Sequence, residues 1–164
     1  MSKINIKYNN RIKLVLLNSI LYILTFSTVI IPLLFINFLP TTGVGHFFSN
    51  NLSYGLITIP IFSYFIVVGT FIYKIKINPY IVQITSYRMM IGFLRPRDYI
   101  DIAHTMVKEY SFFNRPFSLN KTLMIKIKTD SGKIIAKRFN LTLITEKEVK
   151  VISKVLDRII VKNN

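Results

Sequence analysis

Sixty consecutive residues, from Leu14 to Tyr73, contain no aspartate, glutamate, lysine or arginine. All seven acidic residues follow this stretch, and so do eighteen of the twenty-two basic ones. A bilayer requires such a run, because each crossing helix needs about 20 mostly apolar residues. The pattern predicts a membrane anchor over residues 1–76 and one water-facing domain over residues 77–164, which is enough chain for one core.

Two apolar runs inside this stretch are long enough to cross a bilayer, at about 14–39 and about 54–73. Pro32 is expected to bend the first, and Pro60 lies in the second. A cleaved signal peptide is the alternative for the first run. Its apolar part is far longer than a signal peptide needs, and no site of small residues follows it. The sequence therefore predicts a two-helix transmembrane hairpin.

The orientation of the predicted hairpin in the membrane follows from the charged residues that flank its two spans. Four basic residues precede the first span, Lys74 and Lys76 follow the second, and the loop around Thr41–Asn51 has no formal charge. Because lysine and arginine stay on the cytoplasmic side, both termini are predicted in the cytoplasm of a multi-pass protein of the bacterial inner membrane. The spans hold no aspartate, glutamate, lysine, arginine or histidine, which disfavours a pump or channel, and Asn18 could line a seam with a partner subunit or a second copy.

The pattern changes after Lys76, where short runs alternate between apolar and polar residues and predict an antiparallel β domain. The predicted strands lie near 80–85, 88–94, 99–106 with a possible continuation to 112, 122–129 and 133–140. A turn at Asp130-Ser131-Gly132 predicts a hairpin between the last two. Thr145 and Glu148 form a capping box before an amphipathic helix. The polar face of that helix carries Lys147, Lys150, Lys154 and Arg158.

The order of these elements resembles the bacterial pleckstrin-homology-like (PH-like) membrane proteins, including the YcxB-like group. The resemblance covers most of the chain by pattern, through the two spans and the stretches IVQITSYRMMIGF, MIKIKTDSGKIIAKRF and TEKEVKVISKVLDRI. The chain departs from this pattern at one position. Such domains often carry a tryptophan near the third strand, where this chain has Tyr99. The resemblance implies a β-barrel or sandwich capped by a helix, and a role in binding or assembly beside the membrane.

The residues give little support to catalysis. His46 and His104 lie on opposite sides of the membrane in this topology and cannot share a site. The one acidic cluster has neighbours that alternate between the two faces of a strand; its members are Asp98, Asp101, His104 and Glu109. These groups are expected to pair with Arg95, Arg97 or Lys108. Cysteine is absent, as are glycine-rich phosphate loops and zinc patterns. We therefore expect no catalytic, cofactor or metal site and no enzyme activity.

Two surface features of the domain stand out. Residues 74–164 carry a net charge of +11, which suits either an anionic leaflet or simple solubility. The candidate contacts with anionic lipid are Lys74, Lys76, Arg88, Arg95 and Arg97. The second feature is a turn with four aromatic residues between 110 and 117, of which Phe112 or Phe113 is expected in the core. The candidate contacts with a partner are Phe113, Arg115 and Phe117, and Phe117 is the expected anchor.

The sequence thus predicts an α+β membrane protein in which a hairpin precedes an antiparallel, PH-like β domain capped by a C-terminal amphipathic helix. The expected function is that of a non-enzymatic accessory or assembly subunit whose basic domain binds a protein in a larger membrane complex. Two other hypotheses remain open: a membrane-embedded immunity protein against a toxin that attacks the bilayer, and a regulator that depends on anionic lipid. Nucleic-acid binding is not expected, because the tether is short and no recognition motif is present.

Overall fold

A computed structural model of the chain describes residues 5–51, 53–89, 98–114, 116, 118–129 and 131–163, except for the side chains of residues 54 and 55. The chain forms two compact units. One comprises Met1–Leu14 together with Thr70–Asn164, and the other comprises Val15–Gly69. The first is an α+β unit with two antiparallel sheets, and the second is helical. The β unit is therefore discontinuous in sequence, with the apolar helices inserted after its first strand.

The β unit contains seven described strands. They are β1 (Ile6–Asn9), β2 (Phe71–Ile77), β3 (Ile81–Arg88), β4 (Asp98–Ala103), β5 (Val107–Asn114), β6 (Asn120–Lys128) and β7 (Ile134–Thr142). The first sheet has the order β1-β2-β3-β4 and the second has the order β5-β6-β7, with every pair antiparallel. A short 3-10 helix, His104–Met106, connects the two sheets.

Alternation decides which face of each strand enters the core. In β2, Tyr73, Ile75 and Ile77 are buried, while Lys74 and Lys76 point the other way. The same rule buries alternate residues of β6, and they pack with β7 and the C-terminal helix in one cluster. The predicted turn between β6 and β7 is confirmed at Gly132, which has a φ of +80° and donates to the carbonyl of Thr129 over 2.9 Å.

The C-terminal helix, α5 (Glu146–Asn163), covers this core. Its predicted capping box is confirmed: the amide of Glu148 donates to Thr145 Oγ1 over 3.2 Å, and the amide of Thr145 donates to Glu148 Oε2 over 2.8 Å. Ile152 and Leu156 are fully buried, and Val155 and Ile159 lie beside them on the same face. The opposite face of α5 is exposed.

The helical unit contains most of the first helix, whose first turn belongs to the β unit, together with a π-helical segment and three further helices. They are α1 (Arg11–Thr25), the π segment (Phe26–Ile30), α2 (Ile31–Phe38), α3 (Gly43–Asn50) and α4 (Ser53–Val68). Inside this unit, Thr28 Oγ1 donates to Thr58 Oγ1 over 3.0 Å, and the rings of Tyr22 and Phe62 meet edge to face at 5.9 Å. Pro32, where the sequence predicts a bend, is the second residue of α2 and follows the π segment.

Among the described residues, one helix is long and apolar enough to cross a membrane, Arg11–Phe38 with 28 residues. The apolar helix Leu56–Val68 is shorter. The predicted second span is wrong at its C-terminal end, because α4 stops at Val68, Gly69 adopts a φ of +76°, and the following residues enter β2. The predicted loop around Thr41–Asn51 contains α3 instead, because the Thr42 side chain caps Gly45.

Candidate functional site

The two ends of the apolar insertion meet at one buried amide, that of Asn10. This side chain is 2% exposed. Its Nδ2 donates to the carbonyls of Phe71 at 2.9 Å and Thr142 at 2.8 Å, and its Oδ1 accepts from the amide of Tyr73 at 2.8 Å. Asn10 therefore fixes the residue before α1 to the start of β2 and to the end of β7.

Thr142 extends this polar network into the second sheet. Its Oγ1 accepts from the amide of Phe71 at 2.7 Å and donates to Asn120 Oδ1. The Ser86 hydroxyl, also buried, donates to the carbonyl of Asn140 at 2.7 Å. These bonds join the first sheet to the second close to the connections with the helical unit. These bonds were not predicted, because a polar residue before an apolar run is usually an exposed helix cap.

The first turn of α5 lies beside the same connections. Glu148 accepts from the hydroxyl of Tyr73 at 3.4 Å, and Lys13 Nζ lies 3.9 Å from its carboxylate. Burial, with a further contribution from Glu148, raises the pKa of Tyr73 well above its ordinary value. Tyr73 is therefore a neutral hydrogen-bond donor that fixes α5 to β2.

The outer face of the first sheet is basic where β1 meets β2. Lys7 lies directly opposite Lys76, and Asn9 lies opposite Lys74. Like charges opposite each other on one sheet face destabilise the pair, so an anion bound here would stabilise it. The sequence analysis proposed Lys74 and Lys76 for anionic lipid but missed Lys7. The missed signal is the alternation of Lys7 with Ile6 and Tyr8, which matches that of β2.

The structure does not unite the other proposed lipid contacts with this surface. Arg88 lies opposite Phe71, so the register puts it on the sheet face opposite to that of Lys74 and Lys76. Arg95 and Arg97 lie outside the described residues. The basic surface within the described residues therefore comprises Lys7, Lys74 and Lys76, which we call the exit lysines.

In the described part of the chain, two carboxylates of the acidic cluster have side-chain partners other than Lys108, and the other expected partners, Arg95 and Arg97, lie outside it. Asp101 accepts from Gln83 Nε2 at 2.8 Å and from the hydroxyl of Tyr99 at 3.0 Å, whereas the expected partners were arginine or lysine. The hydrogen bond to Asp101 raises the pKa of Tyr99. Glu109 pairs with Lys126 on the neighbouring strand at 2.7 Å. These contacts lie on the strand surfaces and give the carboxylates structural roles.

His104 lies in the 3-10 helix at the far end of the β unit. Its amide donates to the carbonyl of Tyr80 at 3.0 Å, and its carbonyl accepts from Asn163 Nδ2 at 2.6 Å. Burial lowers the pKa of its imidazole. Across the described ranges, no group of three or more histidine, aspartate or glutamate side chains is arranged to hold a metal ion.

The aromatic turn is described only in part. Phe112 packs against the core, and Tyr110 lies edge to face with it at 6.1 Å. Phe113, on the other face of β5, is 48% exposed. Arg115 and Phe117 lie outside the part of the chain that the structure describes. Phe113 is therefore the one of the three proposed partner contacts that can be located.

An open cleft of about 330 Å³ lies between β4 and β7. Its lining is mainly apolar, with Ile100 and Ile127 among the residues that reach the core. Tyr99 and Lys137 add polar groups. The cleft is wide enough for a side chain of another molecule.

Comparison of the chain with protein-family models, with curated proteins and with solved structures gives no match. The class of the protein therefore follows from its own architecture: an α+β unit of two antiparallel sheets into which an apolar helical unit is inserted.

Proposed function

We propose that this protein is a membrane-anchored, non-enzymatic accessory subunit whose β unit binds a protein partner in a larger membrane complex. The observation that carries this proposal is the insertion of the apolar helices between two paired strands of the β unit. An anchor inserted in this way holds the domain at the membrane by two connections instead of one flexible linker.

The pairing of β1 with β2 also supports a hairpin topology. Asn9 and Lys74 are opposite each other, so the chain leaves the β unit and returns to it at neighbouring points. A segment that starts and ends on the same folded unit crosses a bilayer an even number of times. The helix Arg11–Phe38 provides one crossing, and α4 provides the return.

The second crossing of the bilayer, by α4, is short but feasible. Sixteen residues of α4 span about 24 Å at 1.5 Å per residue, against about 30 Å of hydrocarbon. A short helix is accommodated by local thinning of the bilayer or by aromatic flanks, and Phe47 on α3 is 60% exposed. The exit lysines, with Arg11 and Lys13, favour the cytoplasmic face for the β unit and both termini.

The PH-like assignment remains part of this proposal. Two antiparallel sheets closed by a C-terminal helix are what the resemblance implies, and the helix covers the end of the core through Ile152 and Leu156. Such a domain offers surface loops and strand faces for binding. Its partner is a protein because a half-exposed aromatic ring, Phe113, lies on a strand surface, and interface hot spots are enriched in aromatic residues.

Alanine at Phe113 tests the proposal. We expect Phe113→Ala in the full chain to abolish co-purification of the complex from mild detergent, because truncating an interface hot spot typically costs about 2 kcal/mol or more. Tyr80→Ala is the matched control, since Tyr80 is 81% exposed on the turn before β3. It should leave the complex intact. Equal yields of complex from the parent and from Phe113→Ala would reject this contact.

The exit lysines favour a second candidate, an anionic-lipid-dependent regulator. In that case Lys74→Glu with Lys76→Glu would abolish function, while Phe113→Ala would have no effect. Raising the salt concentration would mimic the lysine substitutions, because exposed charges are screened beyond about 10 Å at 0.1 M salt.

A further inference from the structure

The outer edge of β4 is open within the described residues, because β4 is the last strand of the first sheet. The amide of His104 donates to the carbonyl of Tyr80, which fixes the pattern of hydrogen bonds between β4 and β3. From that point, every second residue of β4 turns its amide away from β3. No hydrogen bond from the described residues reaches these outward amides, which belong to Tyr99, Asp101 and Ala103.

The second sheet provides the floor of the cleft beside this edge. Ile135 on β7 lies on the same face as Phe139, which is part of the core. Ile127 lies directly opposite Ile135 on β6. Ile127 is 3% exposed, whereas Ile135 is 42% exposed. The core face of the second sheet is therefore uncovered at its β7 side, where the cleft of about 330 Å³ lies.

One extended strand would satisfy both the open edge and the uncovered floor. Its backbone would continue the first sheet beside β4, with hydrogen-bonding groups repeating every two residues, or about 6.8 Å. Because side chains alternate along a strand, every second one would lie on the floor against Ile127 and Ile135. In strand addition of this kind, the main chain gives affinity and the alternate side chains give specificity.

Other occupants would leave the edge of β4 without partners. A helix pairs its backbone groups internally, and hydrocarbon has no hydrogen-bonding groups, so neither a helix nor a lipid chain can bond to a strand edge. The charge of the cleft selects no sign, because Lys137 and Asp101 both line it. The shape and the backbone pattern of the site therefore select an extended polypeptide.

A second copy of this chain fits less well than a segment of another protein. In a copy, the apolar side of β4 is already in its own core, since Ile100 is 5% exposed. The cleft requires a strand whose apolar side is free. Two copies, each with a net charge of +15, also repel each other.

We infer that a partner protein adds an extended segment to the edge of β4, with apolar residues at alternate positions on the floor of the cleft. This inference rests on the proposed function and names the form in which the partner binds. Phe113 does not line the cleft, so the two assignments can fail independently.

The test uses the full chain in nanodiscs of phosphatidylcholine and a short fluorescent peptide in which valine alternates with threonine. An isomer of the same composition has its valines adjacent to one another. Fluorescence anisotropy measures both affinities. The alternating peptide should bind at least about tenfold more tightly than its isomer, because only alternation places every valine on the floor.

Methylation of the peptide amides detects the hydrogen bonds to β4. Successive amides of a strand point to opposite edges, so one set would face β4 and the other would face away. One peptide is methylated at the amides of its valines and a second at the amides of its threonines. One of the two should bind about tenfold or more weakly, and the other should bind within about threefold of the unmethylated peptide.

A proline in β4 tests the same bonds from the side of the protein. Ala103 is exposed and has a φ of −65°, which is the value that proline requires. Ala103→Pro therefore removes an outward amide and leaves the bonds to β3 in place. It should weaken the alternating peptide by about tenfold or more. Ala103→Ser keeps the amide and should bind like the parent.

A pair of neighbouring isoleucines tests the floor. Ile135→Asn places an amide on the floor and should weaken the alternating peptide by about tenfold. Ile134→Asn is the matched control, because Ile134 is 65% exposed and lies on the opposite face of β7. It should bind like the parent. Circular dichroism of all variants checks that the fold is unchanged.

Four results would overturn the inference. They are failure of the alternating peptide to bind, equal binding of the two methylated peptides, unchanged binding to Ala103→Pro, and equal binding to Ile134→Asn and Ile135→Asn. A parent dimer in sedimentation that Ala103→Pro converts to a monomer would make a second copy the occupant. If the peptide fails while the cellular complex still depends on Phe113, only the cleft assignment is wrong. If no complex co-purifies with the parent, the proposed function fails with it.

Discussion

Leu156→Asp is expected to unfold the β unit. Leu156 is fully buried on the face of α5 that packs against the two sheets. An unpaired carboxylate there costs several kcal/mol, in a unit whose total stability is of the order of 5–15 kcal/mol. Thermal unfolding of the full chain in detergent, followed by circular dichroism, should show loss of the cooperative β transition.

Val151→Asp is the control for this variant. It introduces the same carboxylate on the same helix at a side chain that is 40% exposed. Substitutions at exposed positions usually change stability by less than about 0.5 kcal/mol. Similar melting of Leu156→Asp and the parent would mean that α5 does not pack on the sheets as described.

Asn10→Ala should also destabilise the β unit strongly. The substitution removes three hydrogen bonds and leaves two carbonyls and one amide without their partner in a buried place. Each unsatisfied buried group costs about 1–3 kcal/mol, so we expect a loss of about 3 kcal/mol or more. Urea unfolding of the full chain in detergent measures the free energy of unfolding.

The neighbouring asparagine supplies the control. Asn9 is exposed, and its Oδ1 accepts one hydrogen bond, from the amide of Arg11 at 2.9 Å. Asn9→Ala should therefore cost about 1 kcal/mol. Asn10→Asp keeps the shape but loses both donors and should be at least as damaging as Asn10→Ala. Equal effects at Asn9 and Asn10 would show that the buried amide does not join the two ends of the insertion.

Local sequence patterns were sufficient to predict the elements whose structure depends on residues close in sequence. The β6–β7 hairpin needs a glycine with positive φ at residue 132, and α5 needs Thr145 and Glu148 at its first turn; both signals are short-range. Apolar alternation also identified β3 and most of β4, because each is long enough to repeat the pattern.

The discontinuous part of the fold was missed for a physical reason. β2 begins with Phe71, Ile72 and Tyr73, which continue an apolar run and are not distinguishable from the end of a membrane helix by composition. β1 has four residues. Their pairing closes a loop of about sixty residues, and no local pattern encodes such a contact. Gly69 was the available sign that the helix ends early.

The predicted binding residues also divide into those that the neighbouring sequence identifies and those that depend on contacts between residues distant in sequence. Lys74 and Lys76 were predicted as a pair because both directly follow the predicted second span, but Lys7 joins them only through the β1–β2 register. Asn10 acquires its role from the carbonyls of β2 and β7, which are distant in sequence. The partner of Phe113 is not encoded in the chain, so the binding assignment stays a prediction.

The side of the membrane on which each unit lies tests the central claim most directly. The chain has no cysteine, so a single cysteine reports its own position. Ser49→Cys lies on α3, between the two proposed crossings, and Ser131→Cys lies in the β6–β7 turn; both positions are exposed. A maleimide that cannot cross membranes should label Ser49→Cys in intact spheroplasts and Ser131→Cys only after lysis. Labelling of both cysteines only after lysis, or of Ser131→Cys in intact spheroplasts, would contradict a hairpin anchor with a cytoplasmic β unit.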